Sequence, residues 1–387
     1  MRVLICGAGI AGLTLAWWLR RAGAEVTVVE KATGPRSDGY MIDFFGSGYD
    51  VAERMGILDA LGEVAADITE LTYADRHGRR SGGLCYASFT AMLDGRVLSL
   101  MRGDLEATLR SALDDGTEIR YGTSVSAVRD VPGGVDVELT DGDVRRADVL
   151  VGADGIHSVV RRLVFGPEEG FLHPLGYHTA SYLFDDAELA EEVGRRFLLV
   201  GVPGRQAGLY PTRSGALAAS LVHASAATGP PARPRAEVLA AYRGLGPMID
   251  RVLAHCPEDP YYDRVAQIRM PGWSKGRVTL LGDAAHAVSL MAGQGSSMAM
   301  GGAYTLATEL LGAGVEAALD RYERRMRPFA LDKQRSGRNT AEWMVPHRAW
   351  RITVRNRLFG LAELPGGTAV MGRGLKRLGS SVVTAAK

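Results

Sequence analysis

A chain of 387 residues, 46% hydrophobic and 23% charged, is long enough for two or three globular domains. Its formal net charge of +1 gives no electrostatic reason to expect nucleic acid or an anionic surface as the main partner. Three cysteines (Cys6, Cys85, Cys256) make neither a CxxC pair nor an even disulfide set, and eight histidines show no HxxxH-like spacing. A reducing, cytoplasmic setting and no metal centre are the expectations.

The opening run Val3 to Leu19 imitates a signal peptide. Its spaced glycines, the Arg20-Arg21 that closes it and the strand-like Glu25 to Glu30 that follows instead predict strand, loop, helix, strand. No apolar run reaches the roughly 18–20 residues of a membrane span. Residues 47–62 then predict a helix with Val51, Met55 and Leu58 on one face. Residues 71–100 predict a β-rich excursion, 103–114 a helix and Glu118 to Tyr121 a short strand. Val125 to Arg146 alternates around two turn signals and predicts a β-meander. Val149 to Val151 predicts a buried strand. Between about 170 and 271, strand-like runs among Gly and Pro turns predict a mostly β unit with helical patterning near 235–255. Residues 277–281 predict another buried strand and about 296–312 a long helix. Residues 316–360 predict a helical tail. Between 321 and 357 that tail holds eleven Lys/Arg against three Asp/Glu. It reads as a solvated helix face with Ala, Trp and Leu packed inward. The alternatives are a lid carrying Trp343, Met344 and Trp350, or a surface touching anionic lipid.

Three segments carry chemistry. Gly7-Ala8-Gly9-Ile10-Ala11-Gly12 follows a strand and opens a helix, the context a dinucleotide fingerprint requires. Gly7 permits the turn, Gly9 lets backbone approach a pyrophosphate, and Gly12 lets helix and strand pack closely. Glu30 ends the next strand 18 residues after Gly12, where an acidic residue binds a ribose hydroxyl. The second segment runs from Val151 through Asp154-Gly155 to Ser158 and Arg161, with Ser158 placed to cap a helix; it reads equally as an ordinary strand–turn–helix. The third is Gly282-Asp283-Ala284-Ala285-His286 followed by Gly293-Gln294-Gly295 and a helix. There Asp283 accepts hydrogen bonds from sugar-like hydroxyls or merely caps a turn, while the glycine loop aims amides at an anion.

In this order and spacing, the three motifs resemble the single-component FAD-dependent aromatic hydroxylases, the p-hydroxybenzoate hydroxylase-like (class A) monooxygenases. The resemblance covers roughly 1–330 and is similar to the small tetracycline-inactivating and antibiotic-modifying members. It implies an α/β fold: a Rossmann-like FAD-binding domain (1–70, 97–168 and 272–325), an inserted mostly β substrate domain (71–96 and 169–271) and a C-terminal helical segment (326–387). It implies that Gly7, Gly9, Ala11, Gly12, Glu30 and Lys31 hold the ADP half of FAD. Arg102, Gly282 and Asp283 would contact the pyrophosphate and ribityl portion, and Gly293, Gln294 and Gly295 would face the ring. Asp154 and Gly155 would serve both FAD and passing NADPH or NADH, and Arg36 would sit near the mobile ring. The family's scheme is reduction of FAD by NAD(P)H, addition of O2, and oxygen transfer from a flavin C4a-hydroperoxide to an aromatic, phenolic or polyketide-like small molecule. No nucleophile or metal is implied, and His286 is expected to be structural. Leu290 and Ser297 stand where the family usually has Pro and Asn. Tyr182, Tyr210, Arg213, His223 and Met291 are the substrate-pocket candidates, with strand register deciding which of them face it. A monomer or homodimer is expected. An FAD-dependent reductase, or a flavin protein that only binds a ligand, would share these motifs.

Overall fold

The computed structural model describes residues 1–35, 40–227, 229, 231–312, 314–362 and 380–383. Strand Arg2–Cys6, buried from Val3 onward, lies inside a six-stranded sheet. Its neighbours Glu25–Glu30 and Val149–Gly152 run parallel to it, placing Ile5 opposite both Val28 and Val151. Val278–Leu280 and Glu118–Tyr121 extend the parallel set on either side, and Ser274–Lys275 adds an antiparallel edge. Covering on both faces explains the unbroken Val/Leu/Ile runs of the central strands. Helices Ile10–Arg21 and Gly295–Gly312 pack there, and the antiparallel meander (Val125–Val131, Gly134–Leu139, Val144–Ala147) closes the same core through Val135, Val137 and Leu139. Because the strands are parallel, Gly7, Glu30, Ala153 and Gly282 all leave the sheet at its carboxyl edge, where open α/β sheets bind ligands.

The second sheet has seven strands, in the order Tyr261–Ile268, Leu172–Phe184, Leu217–Ala224, Arg205–Pro211, Arg196–Val202, Glu70–Ala74, Arg80–Cys85. Only Arg196–Val202 and Glu70–Ala74 pair in parallel. Its outer face is packed by helices Ala187–Val193, Pro234–Tyr242 and Pro247–Ala254, through Ala180, Tyr182, Leu198, Leu209, Val238 and Ile249. Part of its inner face meets an antiparallel ribbon, Met41–Phe45 with Val97–Met101, at Tyr210, Ala218 and Met101.

Helix Val315–Met344 joins the two sheets. Buried Gln334 donates to the carbonyls of Ile268 (2.7 Å) and Ala287 (3.2 Å), while Gln267 donates to the Gln334 carbonyl (2.7 Å) and to that of Val288 (3.1 Å). Gly337 lets this helix approach closely: a Cβ there would stand 2.6 Å from the Val288 carbonyl oxygen. Helix Ala349–Ala362 then folds back against Arg80–Cys85.

The structure departs from the sequence reading in four places. The helix expected over 47–62 is two, Ser47–Met55 and Leu58–Val64, because Gly56 takes a left-handed C-cap (φ 73°). The β-rich excursion contains a helix, Tyr86–Met92, and a further helix at Ala187–Val193 follows its Asp186 cap. Tryptophan is not packed inward on the tail: Trp343 and Trp350 are exposed, and Ala341 and Met344 make the inward contacts instead.

Candidate active site

The site begins at the glycine loop. Gly7 has φ 113°, and a Cβ there would stand 2.4 Å from the Ala153 carbonyl oxygen; at Gly12 one would stand 2.0 Å from that of Gly7. Both positions exclude any side chain, so the loop's amides and the N-terminus of helix Ile10–Arg21 stay open to an anion. Glu30 flanks them: its carboxylate accepts from the Ala8 N–H (3.0 Å) and the Ala32 N–H (2.9 Å). Lys31, next in line, is exposed. Glu30→Ala is expected to weaken FAD binding about tenfold, roughly 1.4 kcal/mol, in a fluorescence titration of apoprotein, with Glu30→Gln intermediate. Unchanged affinity would remove Glu30 from the site.

Arg102 reaches the loop from the ribbon's far end. Its N–H donates to the Tyr40 carbonyl (3.0 Å), its guanidinium pairs with buried Glu106 at 3.3 Å, and its Nη2 lies 3.7 Å from the Gly9 Cβ position. Opposite, Gly282 (φ 62°) presses on Ala11 and delivers Asp283 at the start of the short helix Asp283–His286. Asp283 is open to the cleft yet walled by protein; that burial pushes its carboxyl up, and Arg102 pulls it back down. Gly293 is left-handed (φ 62°) and Gly295 begins an 18-residue helix. Between them and His286, Ser289 holds φ 94°, a strained value for a non-glycine residue, with its Oγ accepting from the Met291 N–H (3.2 Å).

One cleft gathers these segments. Gly9, Ala11, Arg102, Gly155, Asp283, Gly293 and Gly295 line it from the first sheet. Thr179, Tyr261 and Asp263 line it from the second, with Tyr40 and Ile42 between. The rings of Tyr40 and Tyr261 lie 6.3 Å apart, and burial pushes the Tyr40 hydroxyl up to about 12 against the pull of Arg102. A second groove runs along the outside of helix Val315–Met344 between Asp320 and Arg335, touching none of the motifs.

Not every residue of the motifs faces this cleft. The Asp154 carboxylate turns away, accepting from Ser158 Oγ (2.5 Å) and the N–H groups of Val159 (2.6 Å) and Val160 (3.1 Å), while Ser158 caps the helix as expected, accepting from the Arg161 N–H (3.0 Å). Gln294 is buried, its amide 3.5 Å from the Gly293 carbonyl, and is absent from the cleft wall. Ser297, in the family's Asn position, donates to the Phe45 carbonyl (2.6 Å) and ties the long helix to the ribbon. Arg36 lies outside the described residues. Of the five substrate candidates, strand alternation puts Tyr182 and His223 on the wrong face. Tyr182 donates to the Val252 carbonyl (3.0 Å) in the sheet–helix core, and His223 sits between the Tyr242 and Tyr262 hydroxyls at 3.3 Å each. Arg213 is exposed on the surface and donates to the Ala65 carbonyl. Tyr210 and Met291 do reach the inner face, where Tyr210 accepts from the Met41 N–H (2.7 Å) and Met291 packs on Val222. Tyr40, Thr179, Tyr261 and Asp263 carry no motif; the register of Tyr261–Ile268 against Leu172–Phe184 reveals the last three, and Tyr40 is placed by the Arg102 N–H bond to its carbonyl.

Arg161 was legible only as the end of a motif, yet its side chain is fully buried. It donates to the carbonyls of Ala284 (3.1 Å) and Ile156 (2.6 Å) and pairs with Glu168 (3.0 Å). Glu168 in turn meets His157 (3.0 Å) and Arg264 (3.7 Å), and His157 meets Asp263 (3.4 Å), which carries the network to the second sheet. Among these contacts the bond to Asp263 is the largest of those raising the His157 pKa.

His286 is a structural residue in its packing: 2% exposed, against the Trp273 ring, its Nε2 without a partner. Burial holds His286 and His223 near pKa 4. Since both titrate near 6.5 when unfolded, the unfolded chain binds more protons between about pH 6.5 and 4, and stability falls as pH drops through that window. Each is expected to contribute about 2 kcal/mol less at pH 5 than at pH 8. Urea midpoints for the wild type and His286→Gln at the two pH values check this, because the variant must show the shallower pH slope.

Among the described residues, no group of three His, Cys, Asp or Glu is arranged to hold a metal ion, and no helix is long and apolar enough to cross a membrane.

A glycine cradle that a Cβ would fill, an acid at the end of the second strand, a guanidinium over the loop and a second helix N-terminus across the cleft fit FAD, and define a flavin-binding protein. The chain belongs to the family of flavin-dependent monooxygenases built on the FAD binding domain, whose family model matches residues 1–335. A flavin-dependent monooxygenase of an unknown prokaryotic organism is 30% identical over 351 residues, with 87% of this chain and 88% of that protein covered. An uncharacterised Mycobacterium tuberculosis protein is 36% identical over 332 residues, with 81% and 85% covered. The crystal structure of tetracycline destructase Tet(55) is 27% identical, with a TM-score of 0.80 and 92% and 94% of the two chains covered.

Proposed function

We propose that this enzyme uses NAD(P)H and O2 to oxygenate an aromatic, phenolic or polyketide-like small molecule, with residues 1–70, 97–168 and 272–325 holding FAD and 71–96 with 169–271 bedding the substrate. The observation that carries this reading is the single cleft in which the dinucleotide loop, Arg102, Asp283 and the Gly293–Gly295 turn meet Thr179, Tyr261 and Asp263 of the second sheet. FAD, when bound, supplies the electron-transfer and oxygen chemistry. The loop amides and Arg102 bind its diphosphate, with Glu30 at the ribose and Asp283 at the sugar-like chain. The positive end of helix Gly295–Gly312 favours a negatively charged ring beside it. Tyr40 keeps its proton through neutral pH and offers a hydroxyl donor in the cleft. Ile42, Val288 and Leu290 exclude water on the apolar side. The sequence holds a single dinucleotide fingerprint, so NAD(P)H acts as a passing co-substrate without a domain of its own.

The test is direct. Purified protein is expected to be yellow and to consume NADPH or NADH together with O2 faster when a suitable phenol is added, with mass spectrometry finding one added oxygen. Nicotinamide oxidation without oxygen use would replace this reading with a reductase, and neither activity would leave a flavin-dependent binder.

A further inference from the structure

We propose that His157 is the positioning residue that fastens the two walls of the cleft together, bridging Glu168 and Asp263 as an imidazolium and releasing Asp263 when it loses its proton. This rests on the reading of the cleft as the flavin site and names a residue that sets its width.

The chemistry of the contacts carries the inference. His157 follows Gly155 and Ile156, which line the cleft, on the loop that leaves strand Val149–Gly152. Its Nδ1 stands 3.0 and 3.1 Å from the two oxygens of Glu168, and its Nε2 stands 3.4 Å from Asp263 Oδ1. Asp263 lines the opposite wall, on Tyr261–Ile268, the edge strand of the seven-stranded sheet. A carboxylate oxygen only accepts, so a ring that faces carboxylates through both nitrogens satisfies both only when each nitrogen carries a proton. A neutral ring has one N–H to give. The shorter contact keeps it at Glu168, and the bare Nε2 then turns a lone pair toward the Asp263 carboxylate. The bond that is lost is the one that crosses the cleft.

The surrounding charges make the two carboxylates unequal. Glu168 keeps the fully buried Arg161 at 3.0 Å and Arg264 at 3.7 Å whatever His157 does. Asp263 accepts from the Arg264 N–H (2.7 Å), and among the described residues His157 is the one side-chain cation paired with it. Asp283, Tyr40, Tyr261, Arg102 and Arg264 share the cleft wall with Asp263, and neither arginine pairs with it. The edge strand pairs on one side alone, where Asp263 lies opposite Thr179. Once His157 lets go, the longer Arg264–Glu168 contact still spans the walls, so the cleft widens rather than comes apart. The Asp263 bond, helped by Glu168 and opposed by burial, lifts the His157 pKa above 6.5. The clasp therefore contributes fully below about pH 6.5 and is lost as pH rises through the raised value. The effect of His286 and His223 lies on the acid side of that range and does not overlap it.

FAD-loaded protein is diluted at fixed ionic strength between about pH 6 and about pH 9, and release of FAD is followed by its fluorescence. Release is expected to be about fivefold faster at the alkaline end, the worth of an exposed ion pair. Its midpoint should coincide with the His157 titration, read by NMR as the imidazole signal missing from His157→Ala. His157→Ala should release FAD at the faster rate throughout. His157→Lys, whose ammonium stays charged over this range, should release it at the slower rate throughout. Asp263→Asn should remove the step and bring the His157 midpoint down toward 6.5. A wild type whose release rate is level across the range overturns the proposal, as does a His157→Ala protein that keeps the step or a His157 midpoint at or below 6.5. No turnover is measured, so the clasp can be found in a protein that consumes no oxygen, and failure of the oxygenase reading is recognised separately.

Discussion

Gly12→Ala is expected to strip the protein of flavin. Gly12 faces the turn of its own loop, and the added methyl would stand 2.0 Å from the Gly7 carbonyl oxygen, 3.2 Å from the Gly7 carbonyl carbon and 3.2 Å from Ile5 Cγ2. Two of these three atoms are backbone, so no rotamer change relieves the overlap. The loop itself must lift, but Gly7 is pinned beneath by its N–H bond to the Val29 carbonyl (2.7 Å) and by Ala153. Overpacking of this kind destabilises by roughly 1–3 kcal/mol. The larger effect falls on the ligand, because a displacement near 1 Å takes the Gly7–Gly9 amides and the helix end out of hydrogen-bond range of a diphosphate. FAD affinity is expected to drop at least 100-fold, about 2.7 kcal/mol, seen as a low ratio of flavin absorbance to protein absorbance after purification and as failure to reconstitute with added FAD. Gly23→Ala is the comparison, since that glycine, although at positive φ (81°), has no atom within 4 Å of its Cβ position. It should cost some stability and leave flavin content unchanged. Full flavin loading of Gly12→Ala would mean that the fingerprint does not hold the diphosphate.

What was legible in the sequence follows from how local each signal is. The glycine loop and Glu30 rest on contacts within one strand–helix–strand unit and the Ser158 cap on contacts within one turn, so spacing alone carries them. The substrate side rests on pairing between distant strands. Tyr182 and Ser181 are neighbours in sequence, yet one is sealed in the sheet–helix core and the other lies on the sheet's inner face, and a one-residue uncertainty in register exchanges them. Arg355 lies further out of reach. It sits in a basic helical tail whose composition reads as a solvated face, and only the fold-back of Ala349–Ala362 onto Tyr73 turns one of those cations into a buried group. Strain was equally silent, because nothing in Val288-Ser289-Leu290 announces a serine at φ 94° where the family usually has proline close by. The same locality explains the motif residues that missed the cleft. Asp154 is recognisable by its pattern, but its carboxylate accepts from the N–H groups that open the helix after Ser158, leaving Gly155 and Ile156 to form the wall.

Arg161→Met tests how the cleft is held together. The guanidinium joins the two loops that leave neighbouring strands of the first sheet: Ile156 follows Asp154-Gly155, and Ala284 follows Asp283. Methionine fills similar space and removes Nε, which has no partner in the native protein. Against that gain, the Ala284 and Ile156 carbonyls lose buried donors and Glu168 loses the cation 3.0 Å away. A buried acceptor left unpaired costs about 1–3 kcal/mol, so a net loss of about 3 kcal/mol is expected in urea denaturation. The loss should not be confined to stability. With the strap gone, Gly155 and Asp283 are no longer held at a common spacing across the cleft, and FAD affinity is expected to fall about tenfold even at temperatures where the variant is folded. Arg162→Met, one residue on and exposed, should change neither quantity beyond about 0.5 kcal/mol. A variant at position 161 that lost stability but bound FAD as the wild type does would make Arg161 a core residue only, and would leave each loop to position its own cleft residue.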